Sequence, residues 1–282
     1  MERFWPKLGE ENLFLGKMKI VLIRGAGDVG TATAIVLRSL GYGVIYTELP
    51  KPTVLRWAVA FAEAVYRGSW EVQGIRARLS HSAEEALKLV EKGEVAVLAP
   101  EGKALVEIQP QILIDARMAK RNLGTKMDEA PLVIGLGPGF TAGRDCHAVV
   151  ETLEGPNLGR VILKGTAAPP THRPCSISGL GEERLVRAPK DGEFCPLRAI
   201  GDLVQANEPV GKIDDLVLRA PIGGVIRGIL HPGVFVRQGM KAVEIDPRSD
   251  PAIPFKISDR SLCIATGVVE ALHLLSGTPN SS

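Results

Sequence analysis

Three groups of residues in this 282-residue chain have types and spacings suited to chemistry. The first is Gly25, Ala26, Gly27, Asp28, Val29 and Gly30, which spell G-x-G-x-x-G, with Glu48 eighteen residues beyond Gly30 (48 − 30). Gly25 permits a tight turn, Gly27 lets a phosphate reach the backbone, and Gly30 lets a helix pack closely on a sheet. A pyrophosphate would then rest on the helix N-terminus, and Glu48 would accept hydrogen bonds from a ribose 2′-OH. That chemistry is binding of a nucleotide of the NAD kind. The same residues also read as a glycine-rich turn that binds nothing, and Asp28 either repels a pyrophosphate or caps the helix. The second group is Gly135, Gly137 and Gly139 in the segment GLGPGF, with Asp115 and Arg117 upstream. Such a loop turns backbone N–H groups towards an anion, or is a tight connection only. Asp115 is a ligand contact or a loop cap; Arg117, Lys120 and Arg121 hold an anion or form a solvated face. The third group is Asp145, Cys146, His147 and Glu151. These types suit acid–base catalysis or metal ligation, or a hydrogen-bonded structural histidine. No metal is assigned, because no second ligand cluster accompanies them.

The elements that must position these groups follow from the pattern. Lys19 to Arg24 is an unbroken apolar run, as in a strand buried on both faces. A helix is expected over residues 31–40 and a strand over 43–47, ending at Glu48. A further helix is expected over 53–66, a strand over 71–79, a helix over 82–92, and strands over 95–98, 112–116 and 132–134. Residues 145–152 read as a strand with His147, Val149 and Glu151 on one face and Cys146 on the other. In an open parallel sheet the ligand crevice lies beyond the carboxyl ends of the strands. Both glycine loops, Asp115 and the Asp145–His147 segment are therefore expected to converge there. Residues 160–165 read as another strand, residues 166–184 as a linker, and residues 258–275 as a terminal helix.

Composition narrows the classes. Lysine plus arginine is 34 and aspartate plus glutamate 32, so the chain is nearly neutral, with no basic tract for nucleic acid. No apolar run reaches membrane-spanning length. Residues 1–17 read as an arm with acids and no secretory apolar stretch. Cys146, Cys175, Cys195 and Cys263 make no C-x-x-C, which suits reduced thiols in the cytoplasm.

The second half repeats itself at an offset of 32 (219 − 187). Arg187-Ala188-Pro189 recurs as Arg219-Ala220-Pro221, Gly192 as Gly224, Gly201 as Gly233, Val204 as Val236, and Ile213-Asp214 as Ile245-Asp246. Short strands between glycine turns, duplicated, imply a quasi-twofold β unit. The pattern resembles the biotinyl/lipoyl-like barrel-sandwich fold. The hairpin from Ile213 to Val217 has no lysine at its tip and Lys212 is misplaced, which argues against a swinging-arm carrier.

Several motifs in order carry a wider resemblance: Arg24 to Asp28, Phe61 to Tyr66, Asp115 to Lys120, Gly135 to Phe140, Asp145 to Thr152, and A-P-I-x-G from Ala220. Over residues 18–275 the chain resembles the YqeB family, accessory proteins of the selenium-dependent molybdenum hydroxylase system. The resemblance implies a pathway and transfers no catalytic residue. The expected fold class is α/β. It comprises a Rossmann-like domain over 18–165, the linker over 166–184, a small all-β barrel-sandwich domain over 185–250, and a terminal helix within 251–282. The expected function is maturation of molybdenum hydroxylases, with a nucleotide or the molybdenum cofactor as phosphate-bearing ligand and a hydroxylase as partner; neither nucleic acid nor membrane is expected. Two rivals are an NAD(P)-dependent oxidoreductase, with Glu48 selecting NAD and His147 as acid–base, and a non-catalytic adaptor.

Overall fold

The computed structural model describes residues 18–276 apart from residues 101 and 172. The arm expected over residues 1–17 lies outside the described residues. In chain order the first half forms β1 (Ile20–Arg24), α1 (Asp28–Ser39), β2 (Gly43–Thr47), α2 (Glu63–Arg67), β3 (Ser69–Val72), β4 (Ile75–Ser80), α3 (Ala83–Glu91) and β5 (Val95–Leu98). It continues with α4 (Ala104–Ile108), β6 (Ile112–Asp115), β7 (Leu132–Leu136), β8 (Thr141–Ala142), β9 (Ala148–Val150), β10 (Val161–Ile162) and β11 (Gly165–Thr166). Nine of these strands make one sheet, in the order β10-β9-β7-β6-β1-β2-β5-β4-β3. The run from β9 to β4 is parallel, and β10 and β3 close the edges antiparallel.

Both faces of this sheet are covered, which is why its central strands are continuously apolar rather than alternating. Val21, Ile23, Val44 and Tyr46 face α1 and α5 (Asp259–Ser276). Leu22, Ile45, Ala96 and Leu113 face α3 and α4. Ser82 caps α3 by accepting from the Glu85 N–H at 3.1 Å.

The Rossmann-like expectation is corrected here. The sheet is larger and mixed, and several connections lack the crossover helix that such a domain requires. The helix expected over 53–66 is a 3-10 turn at Trp57–Val59 followed by the single-turn α2. Arg56, near the start of that segment, is drawn inward to Asp28, and its backbone there (φ −89°, ψ 50°) is off the helical path. The strand expected over 71–79 is the β3–β4 hairpin, turned by Gln73 and Gly74, both at positive φ. No α-helix joins β6 to β7. The segment before β9 is a turn, not a strand, so Cys146 packs in the same core cluster as Val149 instead of on the opposite face.

The separate all-β barrel-sandwich class is corrected with it. The second half forms β12 (Leu185–Arg187), β13 (Gly192–Pro196), β14 (Leu203–Val204), β15 (Pro209–Ile213), β16 (Leu216–Arg219), β17 (Gly224–Ile229), β18 (Val234–Val236) and β19 (Lys241–Asp246). These build two four-stranded antiparallel sheets, β12-β19-β17-β14 and β16-β15-β13-β18, which join the larger sheet in one chain with few helices. The 32-residue offset carries β12 to β16, β13 to β17, β14 to β18 and β15 to β19, and so exchanges the two sheets strand for strand. Matching glycines make matching contacts. A Cβ on Gly192 would meet Ile213 Cγ2 at 2.5 Å, and one on Gly224 would meet Ile245 Cγ2 at 2.8 Å. The hairpin tip is Asp214-Asp215; Lys212 lies within β15, opposite Val217.

The second half is tied to the first. The Ile229 N–H donates to the Leu55 carbonyl at 2.9 Å, and Leu55, Trp57 and Ala58 pack into the core between the two small sheets. Among the described residues no helix is long and apolar enough to cross a membrane.

Candidate functional site

The loops at the carboxyl ends of β1, β2, β5 and β6 open into a cleft of ≈ 1130 Å³ whose far wall comes from β17, β19 and the approach to β12. Gly25, Gly27, Asp28, Glu48 and Arg117 line it, as do Pro100 and Met118. Arg184, Arg227, Lys241, Glu244 and Arg248 line it from the antiparallel half, and Ser258, Asp259 and Arg260 from the start of α5.

The first glycine loop is built as its spacing implies. Gly25 has φ +91°, and a Cβ there would press on the Arg117 backbone at 3.1 Å. Gly30 cannot carry a Cβ, which would lie 2.3 Å from the Gly25 carbonyl oxygen. At Gly27 the nearest atom to an added Cβ is Val54 Cγ2 at 3.8 Å, so the space over the first turn of α1 is open. No side chain caps α1 at Gly27. Its N-terminal N–H groups therefore face the cleft with the positive end of the helix dipole.

Glu48 has local duties. Its two carboxylate oxygens accept the N–H groups of Ala26 (3.0 Å) and Leu49 (2.6 Å), and burial raises its pKa. Asp28 holds Arg56 at 2.9 Å. Asp115 is buried behind the cleft, where it accepts from Arg117 and from the Thr125 hydroxyl at 2.7 Å. Arg24 reaches the same Thr125 and Glu129, so it braces this network and does not line the cleft.

The second glycine loop does not reach the cleft. Cβ atoms on Gly135, Gly137 and Gly139 would strike the Phe140 ring (2.5 Å), Thr152 Oγ1 (2.4 Å) and the Arg121 backbone (2.4 Å). Protein atoms, not ligand space, require these glycines. Asp145, Cys146 and His147 precede β9, and so stand at the amino end of the parallel strands, away from the cleft. His147 Nδ1 accepts the Val133 N–H at 3.0 Å, which fixes the neutral ring, and burial lowers its pKa. Cys146 is fully buried and its thiol is pushed up to about 12, so it is no nucleophile at neutral pH. Asp145 accepts the Thr141 N–H and pairs with Arg144. Glu151, at the other end of β9, accepts three backbone N–H groups, from Thr152, Leu153 and Ala168. Among the described residues no three histidine, cysteine or carboxylate side chains stand together as metal ligands.

What the spacing did not reveal is the cationic wall. Arg56, Arg117, Arg184, Arg227, Lys241, Arg248 and Arg260 line the cleft against Asp28, Glu48, Glu154, Glu244 and Asp259, seven cations to five acids. Arg56 and Arg184 are buried, at 7% and 3% exposure. The Nε–H groups of Arg56, Arg184, Arg227 and Arg260 are buried and meet no acceptor among the described residues. Burial and the nearby Arg56 charge push the Arg227 pKa below its ordinary value. Cys175 stands in the wall too, its thiol pKa raised by burial and its carbonyl taken by Arg184 at 2.7 Å. One signal for this wall was present in the sequence: Arg227 interrupts the apolar run GVIRGI of a buried strand. A buried charge in such a place is paired or functional.

No family model matches the chain. Among solved structures it is similar to succinylglutamatedesuccinylase/aspartoacylase from Rhodobacter sphaeroides, at 15% identity and TM-score 0.26, covering 82% of this chain and 85% of that one. It is also similar to an aspartoacylase family protein from Mesorhizobium loti, at 10% identity and TM-score 0.25 over the same shares. At those scores neither bears on fold or chemistry. Among curated proteins it is 44% identical over 258 residues to "Uncharacterized protein YqeB" of Escherichia coli (strain K12), covering 91% of this chain and 48% of that protein. The chain thus spans about half the length of that relative.

Proposed function

We propose that this chain binds a phosphate-bearing small molecule in the arginine-lined cleft, and that it serves molybdenum hydroxylase maturation by holding such a ligand for delivery. The carrying observation is the set of four cleft arginines whose buried Nε–H groups meet no acceptor among the described residues. Unsatisfied buried donors mark these guanidiniums as under-compensated cations, and an anionic ligand in the cleft offsets their charge. The open α1 N-terminus adds to the same field. A volume of ≈ 1130 Å³ admits a nucleotide or a pterin bearing phosphate. The molybdenum hydroxylase assignment rests on the ordered motifs shared with the YqeB family.

The oxidoreductase reading draws no support from the site, since the histidine it needs stands at the amino end of β9 and Glu48 is engaged by Ala26 and Leu49.

Native mass spectrometry of the full chain tests the proposal. A phosphate-bearing adduct is expected, and Arg184→Gln should lose it. A chain that carries no adduct, and binds no nucleotide or pterin phosphate in calorimetry, would sink the reading. A bound ligand without any effect of the chain on hydroxylase activity in cells lacking it would remove the maturation role alone.

A further inference from the structure

The cleft's charges fail to balance at one place. Arg184 and Arg227 both donate to a single oxygen, Glu244 Oε1, at 2.7 and 2.8 Å. Lys241, three residues earlier on β19, lines the same wall, and its side chain makes no hydrogen bond or ion pair with a described residue. Three cations therefore share one carboxylate, an excess of two positive charges (3 − 1). Asp246 also attracts Arg227, but its charge is matched by Arg248, so the pair leaves the excess at two. Arg248 grips both its oxygens at 2.9 and 2.6 Å, and Arg227 Nε comes only to 4.0 Å. Arg184 is 3% exposed, and its Nε–H and that of Arg227 meet no acceptor among the described residues. Burial lowers the Lys241 pKa; the Glu244 charge opposes that shift, and Arg187, Lys120 and Arg184 add to it.

The repeat shows that this crowding is no by-product of the scaffold. The partners of Arg227, Lys241 and Glu244 in the first half, 32 residues earlier, are Cys195, Pro209 and Lys212; the partner of Arg184, 32 residues later, is Leu216. One copy of a duplicated frame has acquired the charges and the other has none of them in place.

We propose that Arg184, Arg227 and Lys241 form a seat for a dianionic phosphate monoester, which rests on the cleft being the ligand site. A monoester carries about −1.5 to −2 charges at neutral pH and three terminal oxygens. That matches the excess charge and the three cationic groups. A carboxylate, or either phosphate of a dinucleotide's pyrophosphate, offers one charge. The ligand class is thus a mononucleotide or other heterocycle ending in a monoester phosphate, with its apolar part beside Val54, Leu55 and Met118.

Calorimetry of the full chain with inorganic phosphate, CMP and NAD tests the seat. The variant of choice is Lys241→Gln, which strands no partner; Arg227→Gln leaves Glu244 still held by Arg184. CMP should bind about tenfold or more tightly than NAD, and either variant should weaken CMP and phosphate by about tenfold or more. NAD binding as tightly as CMP, or CMP binding unchanged in Lys241→Gln, would overturn the seat and leave the cleft reading standing. No binding of any probe to the wild type would overturn both.

Discussion

His231 and Glu63 meet across 168 residues of chain: His231 Nε2 lies 2.5 Å from Glu63 Oε2. Glu63 starts α2 on the first half and is wholly buried, while His231 sits between β17 and β18 on the antiparallel half. Tyr66 stacks on the histidine ring at 4.1 Å, and Arg67 takes the other Glu63 oxygen at 2.5 Å. This clasp holds the two walls of the cleft in register. Glu63→Ala leaves the mostly buried His231 ring without its partner and frees the half-exposed Arg67, and should lower stability by about 1–3 kcal/mol. Urea unfolding followed by tryptophan fluorescence measures it, since Trp57 lies 5.3 Å from His231. A loss below about 1 kcal/mol would show that the clasp is incidental.

The first glycine loop divides into a position for ligand and a position for packing. Gly27→Val should fold with little change in melting temperature and lose anion affinity, because its Cβ enters open space above α1. Gly30→Ala should lose about 1–3 kcal/mol or more, because its Cβ falls 2.3 Å from a backbone oxygen that cannot retreat. Thermal melts paired with calorimetry separate the two. Equal behaviour of both variants would contradict the division.

Glu244 is the counter-ion of two guanidiniums, so Glu244→Gln should destabilise the ligand-free chain and sharpen its response to anions. In buffer without phosphate the melting temperature should fall. Added phosphate should raise it by more in the variant than in the wild type, since binding to the folded state alone stabilises it. A smaller phosphate response in the variant would mean that Glu244 contacts the ligand favourably.

His147 sets a dependence on acid. Burial lowers its folded pKa below the ordinary 6.5, so the unfolded chain binds this proton first. Stability from this residue is complete above the unfolded pKa and declines as pH falls from there to the folded value. His147→Asn, which can still accept from the Val133 N–H, should flatten the stability profile between pH of about 7.5 and 5.5 and leave anion affinity unchanged. A loss of affinity would return His147 to the ligand site.

The strand from Ile20 to Arg24, the turn at Gly25, α1 and the strand ending at Glu48 were legible because they are local. Consecutive apolar residues, a glycine forced to positive φ and a helix behind it are set within thirty residues of chain. The repeat was legible for the same reason, and the paired sheets follow its offset strand by strand. Tertiary structure alone decided which side chains share a cleft. Arg184 and Arg227 meet on Glu244 because β12, β17 and β19 are neighbours in one sheet, at separations of 60 and 17 residues. His147 looked suited to chemistry by its neighbours in sequence, yet a parallel strand carries its two ends to opposite edges of the sheet. Which edge a residue occupies depends on where the turn before the strand stops, and here β9 begins one residue after the histidine. Residue types constrain what chemistry is available; the direction of a strand and the packing of distant segments decide where it can take place.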